Sequence, residues 1–186
     1  MTSLEGWTAA AESLGLRERG GPRLTDLPRD FDAVVAGLGD GASEDGAAWM
    51  HCTSHGREVV VAWLPAVGTF SLVRIAPPLG LGLLVEPARA GDAARIGYAP
   101  FDERLTATGD DPARIALLLK PKRLDGMSSA DQLVALATRP YRVRVTDSYV
   151  ALGSGDLDAD GARLYERIAR SSQIADRLAK KRAHVG

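Results

Sequence analysis

Apolar residues recur at helical spacing in two stretches near the start of the chain. The first stretch places its apolar residues on one helical face, namely Leu4, Trp7, Ala11 and Leu14. The second, from Asp30 to Leu38, carries a stripe formed by Phe31, Val34, Val35 and Leu38. Both stripes predict amphipathic helices. The polar stretch from Gly39 to Gly46 predicts a loop, after which the apolar period changes from that of a helix to that of a strand.

The next stretch, AAWMHCTSHGREVVVAWLP, alternates in the manner of a β-hairpin. A two-residue turn at His55-Gly56 would pair Thr53 with Glu58, Cys52 with Val59, Met50 with Val61 and Ala48 with Trp63. The last three pairs are apolar, so the face that holds them is expected to be the core side. Cys52 lies on that face, where a free cysteine behaves as a small hydrophobe.

Two of the three histidines and the only cysteine lie together in this hairpin, at His51, Cys52 and His55. Two histidines four residues apart in a strand are separated by about 13 Å. The ligands of one zinc ion all lie about 2 Å from it. We therefore expect a structural hairpin without tight zinc binding, with a metal or thiol site as the alternative.

Further strands are indicated downstream. Thr69 to Ala76 and Leu81 to Glu86 are rich in apolar residues and are separated by Pro77-Pro78, which cannot lie in a central strand. Four successive strands with short connections predict an antiparallel β-meander over residues 46–86. Glu103 to Gly109 has the pattern of a fifth strand.

Two short helices are expected next. Asp111-Pro112 predicts a helix start, with the aspartate as N-cap and the proline at the first helical position. Lys120-Pro121 marks its end. Ser129 and Gln132 fit a capping box for a second short helix that reaches Thr138.

A second hairpin and a long helix complete the pattern. YRVRVTDSYVAL predicts a hairpin that turns at Asp147-Ser148 and pairs Val145 with Val150 and Val143 with Leu152. Arg142 and Arg144 alternate with these valines, so we expect them on the opposite face. Residues from about Ala159 to Ala183 predict a long terminal helix with one apolar side, formed by Leu164, Ile168, Ala175 and Leu178.

These elements predict one α+β domain over residues 1–186, with a single antiparallel sheet of about six or seven strands and packed helices. Its expected parts are a helical N-terminal portion, a β-meander, a strand–helix–helix–hairpin portion and a terminal helix, over residues 1–40, 46–86, 98–153 and 159–183. YAPFDERLTATGDDPARIALLL, followed by YRVRVTDSYVAL, resembles a pattern in uncharacterised bacterial α+β domains: an aromatic-Asp strand, a Gly-Asp turn, a Leu-rich helix and a Val-rich hairpin. The resemblance implies the same fold class and brings no catalytic residues.

Composition narrows the possible functions. The chain is 45% hydrophobic and 25% charged, with a net charge of −1, which is ordinary for a globular protein. Residues 1–100 hold 8 Lys/Arg and 12 Asp/Glu, and residues 101–186 hold 15 and 12, so neither half has the basic excess of a nucleic-acid-binding protein. We expect no membrane span and no secretory signal. A single cysteine and an arginine- and alanine-rich composition favour a bacterial cytoplasmic protein.

Two kinds of motif resemble parts of catalytic or phosphate-binding sites, but each lacks a feature that such a site requires. Asp102-Glu103 and Asp110-Asp111 offer paired carboxylates, but no histidine lies nearby in the sequence to complete a triad. Gly80-Leu81-Gly82 looks like part of a phosphate loop, but it leads into a strand rather than a helix. We therefore predict no catalytic residues and no cofactor.

A calcium loop is suggested by the acidic run before the terminal helix. Asp156, Asp158 and Asp160 alternate and are followed by glycine, as at the start of an EF-hand loop. The final position of such a loop should be a bidentate glutamate, and here it is Arg167. We expect Asp158 or Asp160 to cap the helix, with a weak calcium site as the alternative.

Positive charge in the second half suggests where a partner would bind. The candidate interaction residues are Arg142, Arg144, Arg177, Lys180, Lys181 and Arg182. The last four also fit a solvated helix end, because the helix dipole favours cations there. Such a surface would attract acidic partners. The favoured hypothesis is a non-enzymatic protein–protein interaction or adaptor module. The alternatives are a small-ligand or weak calcium-binding domain and an enzyme with dispersed residues.

Overall fold

The structure, a computed structural model, describes residues 4–18, 48–54, 56–64, 68–89, 95–121, 128–138, 141–155 and 160–185. The helix expected over Asp30 to Leu38 and the loop expected from Gly39 to Gly46 lie outside these residues. So do His55, Asp156 and Asp158. Most of the other expected strands and helices fall within them.

The described part of the chain contains five helices and eight strands. The helices are α1 (Leu4–Ser13), α2 (Ala99–Asp102), α3 (Pro112–Leu119), α4 (Ser129–Ala137) and α5 (Gly161–Val185). The strands are β1 (Arg17–Glu18), β2 (Ala48–Ser54), β3 (Arg57–Leu64), β4 (Gly68–Arg74), β5 (Leu84–Pro87), β6 (Leu105–Thr108), β7 (Tyr141–Thr146) and β8 (Tyr149–Ser154). Within the described ranges, no helix is long and apolar enough to cross a bilayer.

All eight strands form one antiparallel sheet in the order β1-β2-β3-β4-β8-β7-β5-β6. This confirms the α+β class, the single antiparallel sheet and the long C-terminal helix. The strand that the sequence pattern did not indicate is β1, where only Arg17 and Glu18 pair with β2. A two-residue strand is too short to show an alternating pattern.

The helices and one face of the sheet enclose the main hydrophobic core. Alternate residues of the central strands point into it, including Val59, Val73, Val150, Val145, Val143 and Leu152. The helices contribute Trp7, Phe101, Ile115, Leu133, Leu164 and Leu178, among others. Because side chains alternate along a strand, residues between these valines belong to the opposite face, which is called here the second face. Arg142 and Arg144 belong to the second face.

Both hairpins have the expected register. In the first, Cys52 pairs with Val59 and Met50 with Val61. In the second, Val145 pairs with Val150. Cys52 lies on the core side as expected, but it is only partly buried.

The meander expected over residues 46–86 holds only for β2, β3 and β4. The fourth strand, β5, pairs with β6 and β7 and is separated from β4 by the whole β7–β8 hairpin. The cause is the path of the chain after β4, because Leu79 N–H donates to the backbone oxygen of Asp147 in the β7–β8 turn. The connection therefore passes the tip of that hairpin before β5 begins.

The starts of α3 and α4 agree with the sequence pattern to within one residue. The Asp111 side chain accepts a hydrogen bond from Arg114 N–H and caps α3, with Pro112 following it. The capping box of α4 is formed by Ser128 and Asp131, one residue earlier than expected. Ser128 with Asp131 and Ser129 with Gln132 have the same spacing, so the sequence pattern does not choose between them. With Ser128 as the N-cap, Ser129 becomes the first helical residue and is buried.

Candidate functional site

A cleft opens in the sheet where β5 and β7 separate. The two strands pair only at Leu84 with Thr146 and at Val85 with Val145. Beyond these pairs β7 continues back to Tyr141 while keeping its pairing with β8. Each strand therefore keeps one neighbour, and the space between them widens.

The separation has a local cause in β5. Pro87 has no N–H group with which to extend a ladder. The next residue, Ala88, donates its N–H to the backbone oxygen of Arg104, the residue that precedes β6. The β5–β6 pair consequently continues as a two-stranded ribbon that leaves β7.

Charged side chains line this cleft. The described lining residues are Glu86, Pro87, Ala88, Arg89, Arg142, Val143 and Arg144, around a cavity of about 220 Å³. Three of them are arginines and one is a glutamate, so the lining has a net positive charge. Arginine stays protonated at any physiological pH. The described part of the lining therefore has a net positive charge.

Arg144 is the most enclosed of these cations. Its side chain is 15% exposed, and its Nη1 lies 3.6 Å from Oε2 of Glu86. Its Nε is buried and has no hydrogen-bond partner among the residues that the structure describes. A guanidinium has five N–H donors in a planar fork that suits a carboxylate, and Glu86 engages only one edge of it at a long distance. Within the described residues, the Arg144 guanidinium therefore keeps N–H donors that Glu86 does not use.

The cavity size limits what the cleft can hold. Pockets for drug-sized ligands and cofactors have volumes of about 300–1,000 Å³, which exceeds the volume found here. A cavity of about 220 Å³ can hold one or two side chains, or a small anion. The geometry therefore supports recognition of a carboxylate group more than binding of a whole cofactor.

The six cations expected to form one interaction surface occupy two places. Arg142 and Arg144 lie on the second face, beside the cleft. Arg177, Lys180, Lys181 and Arg182 lie on α5, which packs against the core face. Lys181 Nζ donates to the backbone oxygen of Lys120 at the end of α3. The structure therefore separates the hairpin arginines from the helix cations by the thickness of the sheet.

The histidine and cysteine of the first hairpin do not converge. His51 pairs with Val60 and faces away from the core side that holds Cys52. Burial raises the pKa of the Cys52 thiol, which lowers its thiolate fraction and its reactivity at neutral pH. Among the described residues, no three histidine, cysteine or acidic side chains are grouped to bind a metal ion.

The calcium candidate is described only at its last residue. Asp160 Oδ1 accepts a hydrogen bond from Ala162 N–H, and its backbone oxygen accepts one from Leu164 N–H. Asp160 thus caps α5 as expected. Asp156 and Asp158 lie outside the described residues.

The sequence pattern did not point to two of the charged cleft residues. Glu86 and Arg89 flank the end of a short strand and had no motif to mark them. Pro87 is the signal that could have found them, because a proline inside a strand pattern marks the place where pairing on one side ends. The cleft needs a long-range partner in β7, which local patterns do not reveal.

The chain is similar in fold to one solved mycobacterial structure. No protein-family model matches the chain, and no curated protein matches its sequence. The solved structure is the crystal structure of the mycobacterial trehalose monomycolate transport factor A, TtfA. The TM-score is 0.60 with 13% sequence identity, over 94% of this chain and 93% of that chain. At this level of identity the likeness shows a shared α+β fold.

Proposed function

We propose that this protein is a non-enzymatic interaction module that binds an acidic partner protein at the cleft between β5 and β7. The observation that supports this proposal is the enclosed guanidinium of Arg144. Its side chain is 15% exposed, and within the described part of the chain its ion pair is with Glu86, at 3.6 Å. A partner carboxylate that completes its hydrogen bonds would form a charge-assisted pair, which is stronger than a hydrogen bond between neutral groups.

The chemistry of the lining favours recognition over catalysis. Guanidinium groups are strong hydrogen-bond donors and keep their positive charge at neutral pH. General acid–base catalysis needs a group that titrates near the working pH. The described cleft residues therefore suit the binding of an anion. The single cysteine fits a reducing compartment, and a cytoplasmic location remains part of the proposal.

The experiment is a comparison of captured proteins. The tagged chain and the charge-reversal variant Arg142→Glu/Arg144→Glu are each used to capture proteins from the source cell. We expect the proteins bound by the wild-type chain to be lost from the variant. Their binding should also weaken when salt rises from about 0.15 M to 0.5 M, because salt screens exposed charges.

A matched control reverses charges on the other cationic surface. Arg177→Glu/Lys180→Glu changes the net charge by the same amount on α5 and should leave the captured proteins unchanged. Arg142→Glu alone, at an exposed position, guards against misfolding caused by reversal at the enclosed Arg144. If the α5 variant loses the partner while the cleft variants keep it, the cleft is not the binding site.

A further inference from the structure

The second face of the sheet carries buried apolar side chains of its own. Cross-strand pairs place them side by side, for example Val60 beside Leu72 and Leu72 beside Ala151. A Cβ at Gly153 would collide with the ring of Phe70, so that ring lies over the backbone of β8. None of these residues belongs to the main hydrophobic core. The members of this second cluster are at most 8% exposed: Trp49, Val60, Ala62, Phe70, Leu72, Tyr149 and Ala151.

No helix in the described part of the chain accounts for this burial. The buried apolar residues of α1 to α5 all belong to the main core, on the opposite side of the sheet. An antiparallel sheet that leaves one face in water has polar residues on that face, whereas the centre of the second face is apolar. These exposures are those of a single chain. The atoms that cover the second face therefore belong to the chain itself, outside the described residues.

We infer that residues 19–47 cover the second face, with the apolar stripe of Asp30 to Leu38 packed against Phe70 and Leu72. The longest of the other stretches outside the described residues, 122–127, has six residues, which is less than two helical turns. Residues 19–47 contain the stripe of Phe31, Val34, Val35 and Leu38. A helix with one apolar side needs an apolar surface to bury it, and the second cluster is such a surface.

The ends of this stretch allow it to reach the cluster. Glu18, at the end of β1, pairs with Met50, and β2 begins at Ala48, so the chain leaves and returns at the same edge of the sheet. From β2 across β3 and β4 to β8 is about 14 Å at the usual strand spacing. The residues on either side of the stripe, 19–29 and 39–47, can each span roughly 30 Å when extended.

The inference does not depend on the proposed function, but it limits where a partner can bind. With the stripe in place, the sheet has helices on both faces and its apolar centre is closed to other proteins. The surface left for a partner on the second face is then its charged edge, beside the cleft between β5 and β7.

The first test is photo-crosslinking in the intact chain. p-Benzoylphenylalanine replaces Phe31, and after irradiation the crosslinked peptides are identified by mass spectrometry. We expect crosslinks within one chain to peptides of β3, β4 or β8. The control places the same probe at Ala33, which lies on the other side of the helix from the stripe. It should give at least tenfold fewer crosslinks to those strands.

The second test measures access to the cluster with a thiol reagent. Ala151, at 0% exposure, becomes the reporter in a Cys52→Ala/Ala151→Cys chain. Adding Phe31→Asp/Val34→Asp should accelerate labelling at least tenfold, because charges in the stripe would detach it from the sheet. Adding Ala33→Asp/Ala36→Asp, which places the same charges on the other side of the helix, should leave the rate unchanged.

The native Cys52, on the core side, shows whether the stripe variant has unfolded as a whole. In the chain with its natural Cys52, Phe31→Asp/Val34→Asp should leave the rate of Cys52 labelling unchanged. If labelling of Cys52 accelerates as much as that of the reporter, the variant is unfolded and the crosslinks alone decide.

Three results overturn the inference. The first is crosslinks from position 31 to α1 or α5, or none to the strands. The second is covalent dimers in place of crosslinks within one chain, which would make a second copy the occupant. The third is a reporter whose labelling is the same with and without charges in the stripe. The capture of cell proteins by the cleft is measured separately, so the proposed function can fail while this inference stands, and the reverse.

Discussion

The backbone N–H of Leu83 donates a hydrogen bond of 2.9 Å to Oδ1 of Asp147. The same carboxylate accepts from the N–H groups of Leu81 and Gly82 at 2.9 to 3.2 Å. Gly82 has a φ of +60°, and a Cβ there would collide with Asp110. The stretch whose glycines resemble part of a phosphate loop therefore uses its consecutive N–H groups to bind a carboxylate from the chain's own β7–β8 turn. The contact fixes the connection that carries the chain from β4 to β5.

Replacement of Asp147 should loosen this connection. Asp147→Ala removes the acceptor of three backbone N–H groups and should lower the free energy of unfolding by about 1–3 kcal/mol. Asp147→Asn, which keeps one acceptor oxygen, should cost less. Glu12→Ala on the exposed side of α1 is the control and should change stability by less than about 0.5 kcal/mol. Urea denaturation measures all three, and an unchanged midpoint for Asp147→Ala would contradict the role given to this contact.

The sequence predicts local features of this fold well because they depend on neighbouring residues. The register between Cys52 and Val59 follows from a short turn and alternating side chains. The crossing of β5 past the β7–β8 hairpin depends on Asp147, which lies 64 residues after Leu83. Such a contact has no local signature. The cleft likewise depends on two residues that are far apart in the sequence, Glu86 in β5 and Arg144 in β7.

Arg167 in α5 is a second residue whose contacts the sequence pattern does not predict. Its position in α5 is inferred correctly from the apolar period, but a charged residue on the buried face is not expected from that pattern. The side chain is 0% exposed, and its Nη1 donates to the backbone oxygen of Thr69 at 3.2 Å and to Ser154 Oγ at 2.8 Å. Arg167 therefore ties α5 to the adjacent strands β4 and β8.

Truncation of the Arg167 side chain should lower the stability of the fold. Arg167→Ala leaves a cavity and removes a donor from two buried acceptors, so we expect a loss of about 3 kcal/mol in the free energy of unfolding. Arg163→Ala, on the same helix with a side chain 71% exposed, should cost less than about 1 kcal/mol because its pair with Asp160 is a surface ion pair. Equal thermal midpoints for the two variants would show that Arg167 does not hold α5 on the sheet.

Cys52 should react slowly with thiol reagents in the folded protein. The side chain is partly buried against the core, and burial raises its pKa, so the thiolate fraction at pH 7 is below that of a free cysteine. We expect labelling to accelerate at least tenfold on unfolding in urea, and Cys52→Ala to cost roughly 1–2 kcal/mol. Labelling at the same rate in the folded and unfolded states would contradict the packing described for β2.

Tyr98 and Asp131 link the start of α2 to the first turn of α4. Tyr98 Oη donates a 2.5 Å hydrogen bond to Asp131 Oδ1, and Ser128 donates through N–H and Oγ to Oδ2. Burial alone would raise the pKa of Asp131, but the hydrogen bonds from Tyr98 and Ser128 outweigh it and lower that pKa. The hydrogen bond to Asp131 in turn raises the pKa of Tyr98.

These shifts predict how stability should depend on pH. Because the pKa of Asp131 is lower in the folded state, its contribution is present above the unfolded value of about 3.9 and is lost as pH falls through the folded value. Because the pKa of Tyr98 is raised, its contribution is present below about pH 10 and is lost as pH rises through the folded value. Tyr98→Phe removes the shared hydrogen bond and should reduce the free energy of unfolding at neutral pH. The variant's stability should also change less with pH than the wild type's, at both the acidic and the alkaline end. Tyr165→Phe, at a side chain 58% exposed, should leave the profile as in the wild type. Urea midpoints measured between about pH 2.5 and 11 test this, and a Tyr98→Phe profile parallel to the wild type at both ends would mean that the pair is not linked to folding.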